Sequence, residues 1–110
     1  MSDIDEDIKK MINRGIKLLQ KDLYDKAHEI FEEVIRFNPV SVEGWFYEGC
    51  ALAFLGKNKE ALNCFKKVDE IQPNNGWLHM IIRLGKKEGF DIVKRAVKND
   101  PDLIENLDFV

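Results

Sequence analysis

The chain has 110 residues, 45% of them hydrophobic and 34% charged, with only three prolines. That is the size of one domain with a modest core, and the composition excludes a disordered or collagen-like chain. The formal net charge of −3 excludes a general attraction to nucleic acid or anionic lipid, but residues 57–98 carry ten positive and five negative side chains between two acidic flanks.

The first segment, Met1-Ser2-Asp3-Ile4-Asp5-Glu6-Asp7, is acidic where a targeting signal needs a basic and apolar stretch. Ser2 is placed to cap a first helix that runs to about Gln20, with Asp3, Asp5 and Glu6 at its positive end. Further helices are predicted over 24–37, 42–55 and 58–71. Pro39 and Pro73 lack a backbone N–H and disfavour helix in the residue before them, so the second and fourth helices stop near Phe37 and Ile71. Residues 74–99 are read as a shortened hairpin, and Pro101 opens a short closing helix with Leu103, Ile104 and Leu107 on one face. No run approaches the ~20 apolar residues that cross a bilayer, and a cytoplasmic setting is expected. Cys50 and Cys64, without a CxxC, are expected to be buried or half-buried free thiols and not metal ligands.

The elements repeat. Met11, Gly15, Leu18, Ala27, Phe31, Val34 and Pro39 recur 34 residues later as Trp45, Gly49, Leu52, Ala61, Phe65, Val68 and Pro73. Each pair keeps the residue or its size class, except Met11/Trp45. The small residues let the two helices of a hairpin approach closely, and Phe31 and Phe65 fill the space between hairpins. Pro101 follows Pro73 by only 28 residues, so the third unit departs from the period. There Ile81 stands in place of the glycine, and the crossing is expected to be wider.

A 34-residue period with Trp45-x2-Glu48-Gly49-x2-Leu52, then Ala61-x3-Phe65, then Pro73 resembles the tetratricopeptide repeat. Arg14 and Glu48 depart from the pattern, which has leucine there. The resemblance implies an all-α fold, an α-α superhelix of stacked helical hairpins in one domain over residues 1–110. Its units are repeat 1 over about 8–41, repeat 2 over about 42–75, a divergent hairpin over about 76–100 and a C-terminal cap over 101–110. It also implies a non-catalytic module that binds another protein.

In such arrays the first helix of each hairpin lines a concave face that holds peptides. Ile8, Ile12, Ile16 and Leu19 spread over a wider arc beside Gly15 than hairpin packing needs, and Phe46, Tyr47, Cys50 and Phe54 continue it beside Gly49. Ile12, Ile16, Phe46, Tyr47, Cys50 and Phe54 are therefore the candidate partner-binding groove, suited to an apolar or amphipathic peptide or helix. The alternative is that the third hairpin or the tail fills it. Family members that clamp the carboxylate tail of chaperones use Lys and Asn where Ile12 and Ile16 stand, so that ligand class is excluded.

Two rival readings use other features. Lys66, Lys67, Arg83, Lys86, Lys87, Lys94, Arg95 and Lys98 form a basic later segment, which is the alternative site for nucleic acid or an acidic partner. Self-association as a homodimer through the groove is the other. No catalytic residue, metal site or cofactor is assigned. His28-Glu29 begins like the H-E-x-x-H zinc helix, but Glu32 takes the place of the second His, and His28 is expected on a solvated helix face.

Overall fold

The computed structural model describes residues 3–73 together with 91, 93–95 and 98. The predicted third hairpin and closing helix therefore lie outside the described residues, apart from those last few positions. Four helices follow in order: α1 Asp3–Gln20, α2 Tyr24–Phe37, α3 Val42–Phe54 and α4 Asn58–Ile71. No strand occurs among the described residues. The fold is all-α, with α1 packed on α2, α3 on α4, and α2 of the first hairpin against α3 of the second.

Both intra-hairpin turns use one solution. At the end of α1 the Asp22 N–H bonds the Leu19 carbonyl and the Leu23 N–H bonds that of Leu18, at 3.1 and 2.9 Å. At the end of α3 Gly56 bonds Ala53 and Lys57 bonds Leu52, at the same two distances. This double closure needs a left-handed residue just past the helix. Asp22 takes it with φ 65° and Gly56 with φ 79°. Between hairpins, the Ser41 hydroxyl caps α3 by accepting from the Gly44 N–H at 3.0 Å. The Trp45 indole ties the same connection down by donating to the Pro39 carbonyl at 2.7 Å.

The core follows the repeat. Ala27, Phe31, Val34, Ala61, Phe65 and Val68 are fully buried. The tip of the Phe31 ring lies where a Cβ on Gly15 would be, 2.5 Å away, and the Phe65 ring stands 2.8 Å from the equivalent point on Gly49. Only a missing side chain permits that approach, which is why glycine recurs at this crossing. Ring contacts then join the hairpins: Phe31 stacks on Tyr47 at 5.7 Å, Tyr47 meets Phe46 edge-on at 5.3 Å, and Phe46 meets Phe65 at 5.7 Å. Such pairs add to the burial of their area.

Val93 is fully buried in the same core, and the Lys98 ammonium donates to the Asp22 carboxylate at the first turn. A third hairpin stacked regularly beyond the second would carry residue 98 a full repeat away from that turn. Lys98 instead meets the first hairpin at Asp22. Cys50 and Cys64 are free and buried, as their spacing leads one to expect.

Candidate functional site

All six groove residues belong to the hydrophobic core or pack against it. Phe46 and Cys50 are fully buried and Ile12 and Tyr47 nearly so, while Ile16 and Phe54 are partly buried against the core. Tyr47 faces Phe31 of α2, and Phe54 stacks flat on Tyr24 with ring centres 4.5 Å apart and an interplanar angle of 7°. Both side chains thus seal the joint between hairpins, because their position on α3 points them at the preceding helix. Of the six, Ile16 and Phe54 are the ones that keep partial exposure.

Beside Phe54, the Tyr24 hydroxyl donates to Asp22 at 2.8 Å, on the same carboxylate oxygen that takes the Lys98 ammonium. The two hydrogen bonds, Lys98's foremost, hold the Asp22 carboxyl below its ordinary range. The contact ties Lys98 to the turn of the first hairpin.

The basic segment is partly neutralised. Lys67 pairs with Glu70 at 3.4 Å and lies 5.9 Å above the Trp45 ring centre, Lys94 pairs with Asp91 at 3.8 Å, and Lys98 meets Asp22. Lys66 and Arg95 are exposed, and Arg83, Lys86 and Lys87 lie outside the described residues.

A polar cluster that periodicity did not reveal sits between the hairpins. Glu48, which stands where the repeat has leucine, is buried to 4% exposure and shares a 2.8 Å hydrogen bond with Nδ1 of His28 on α2. The other ring nitrogen of His28 lies 3.3 Å from Glu32, one helical turn along. His28 is therefore half-buried in an interhelical pair, not on the solvated face expected for it. Burial pushes the Glu48 carboxyl up from 4.5 to about 7, against the lowering effect of His28. Cys64 of α4 is pushed up to about 12, by its own burial first and then by the charges of Glu48 and Glu60. The thiol is thus held protonated and unreactive at neutral pH. The sequence signal for this cluster was the leucine-to-glutamate departure itself, which read alone names no partner.

Arg14, at the same repeat position as Glu48, is exposed and lines a shallow cleft of about 510 Å³ on the outer side of the first hairpin. The cleft contains none of the groove residues. No described helix is long and apolar enough to cross a membrane.

Comparisons with known proteins agree with this architecture. The tetratricopeptide repeat profile matches residues 42–75. An uncharacterized protein of Methanocaldococcus jannaschii is 37% identical over 65 residues, which cover 56% of this chain and 76% of that protein. No solved structure matches the chain significantly. Tetratricopeptide repeats are in general protein–protein interaction modules without catalytic function. With its paired 34-residue hairpins, glycine–phenylalanine crossings and proline stops, the chain belongs to the tetratricopeptide repeat family.

Proposed function

We propose that this chain is a non-catalytic cytoplasmic adaptor that holds an apolar or amphipathic helix of a partner protein along the concave side of α1 and α3. The observation that carries this reading is that Ile12, Phe46, Tyr47 and Cys50 belong to one hydrophobic core against which Ile16 and Phe54 pack. The latter two are only partly covered. An amphipathic helix laid there gains apolar burial with little reorganisation of the rings beneath, which are already held by one another. Two free buried thiols agree with a reducing compartment.

The test uses Ile16→Asp and Phe54→Ala, both at partly exposed positions, with circular dichroism and urea unfolding to establish that each variant retains its fold. Affinity capture from a lysate with wild-type chain as reference should lose at least about tenfold of a specific bound protein in either variant, since central contacts dominate such interfaces. Equal retention of the same protein by Ile16→Asp removes the groove from consideration. Capture of nucleic acid that is lost steeply with added salt favours the basic 57–98 segment instead. A wild-type dimer in sedimentation that Ile16→Asp makes monomeric identifies the partner as a second copy.

A further inference from the structure

We propose that His28, Glu32 and Glu48 form a binding site for one divalent first-row metal ion, Zn²⁺ above all, that clamps α2 to α3. It goes beyond partner binding, because these residues lie outside the groove and bridge the two hairpins. One donor atom from each of the three side chains can be chosen so that all lie within 4.8 Å of one another. Donors on a tetrahedral zinc, with bonds of about 2.0–2.2 Å, stand about 3.3–3.6 Å apart, so His28 and Glu48, now 2.8 Å apart, open slightly while Glu32 swings in.

The elements are arranged for that movement. His28 and Glu32 are one turn apart on the same face of α2, and Glu48 enters from α3. The Glu48 side chain is only 5% exposed and already within 2.8 Å of the imidazole, whereas that of Glu32 is 52% exposed and able to swing. An imidazole coordinates through one nitrogen. Glu32 therefore leaves the Nε2 side of the ring and joins Glu48 at the nitrogen facing it. The ion takes the place of the proton that His28 and Glu48 share, and water completes the fourth position from the open side of Glu32. One imidazole and two carboxylates match zinc and its neighbours better than calcium or magnesium, which take all-oxygen sets.

The electrostatics agree. Glu48 pairs with His28 and feels the charges of Glu32 on α2 and Glu60 on α4, while its own charge acts on Cys64 of α4.

Calorimetric titration of the chelator-treated full chain with ZnCl₂ at pH 7.5, in two buffers of different ionisation enthalpy, tests the proposal. One ion per chain should bind with a micromolar or lower dissociation constant, with proton release, and should raise the melting temperature. His28→Gln, Glu48→Gln and Glu32→Gln should each weaken binding about a hundredfold or more, beyond the roughly 10–100-fold that loss of a supporting group costs. Glu29→Gln, on the exposed neighbouring position, should not. Glu32 is exposed enough that its variant keeps the fold even where Glu48→Gln does not. With Co²⁺ the site should give weak visible bands of oxygen and nitrogen ligation. Binding only in the millimolar range, binding unchanged in Glu32→Gln and His28→Gln, or an intense thiolate band implicating Cys64 would each overturn the assignment.

Discussion

Gly15→Ala probes the crossing on which the first hairpin depends. The added methyl would stand 2.5 Å from Cζ and 2.6 Å from Cε1 of Phe31, where carbon–carbon contact begins near 3.5 Å, so ring or helix must give by about 1 Å. The ring has nowhere to go. Phe31 is fully buried and stacks on Tyr47, which in turn abuts Phe46, so a retreat of the ring pushes on the second hairpin. Overpacking costs about 1–3 kcal/mol, and contacts this short belong to the upper part of that range, about 2–3 kcal/mol, while alanine returns about 1 kcal/mol of helix propensity over glycine. A net loss of about 1–2 kcal/mol is expected. Gly49→Ala meets Phe65 at 2.8, 3.0 and 3.1 Å, a lesser clash, and should cost less, about 0–1 kcal/mol. Urea unfolding followed by circular dichroism reads both. Phe31→Leu placed in the Gly15→Ala background should recover part of the loss, a coupling that a double-mutant cycle isolates. If Gly15→Ala is as stable as the wild type, or Gly49→Ala is the worse of the two, helix propensity governs these sites and the reasoning from the crossing fails.

Three further outcomes follow from the structure. In chelator-treated protein, the raised Glu48 carboxyl means that the folded chain keeps a proton which the unfolded chain releases between pH 4.5 and about 7. Stability from this group is therefore present at low pH and lost as pH rises through that window, by at most about 3 kcal/mol. Unfolding free energies at pH 5, 6, 7 and 8 should fall more steeply for the wild type than for Glu48→Gln, and parallel curves would exclude the burial effect. Gly56→Ala should cost about 1 kcal/mol although its methyl would meet nothing within 4 Å, because φ 79° is unfavourable to any side chain. Thermal unfolding checks this, and Gly56→Asn should cost less. Ser41→Ala should lose about 1 kcal/mol through the missing cap on Gly44 while leaving the urea dependence of unfolding unchanged.

Local chemistry determined much of this protein before any contact was known. The proline stops, the recurring glycine–phenylalanine pairs and the turn residues act within one hairpin, so they are legible as a 34-residue period, and the helices α2 and α4 begin and end where that period placed them. The inward fate of Cys50 and Cys64 was equally legible, because small apolar side chains on a packed face have few alternatives. What only the tertiary structure decided is which residue meets which across hairpins. Glu48 breaks the repeat, and nothing within its own helix says that His28, twenty positions earlier, would answer it. Tyr47 and Phe54 carry the apolar signature of a groove, yet they close on Phe31 and Tyr24. A wheel records the direction in which a side chain leaves its helix, whereas burial depends on the element standing in that direction. For the same reason no period foretold the return of Lys98 to Asp22, since hairpin-to-hairpin distance is set by the packing of helices that the repeat pattern treats one at a time.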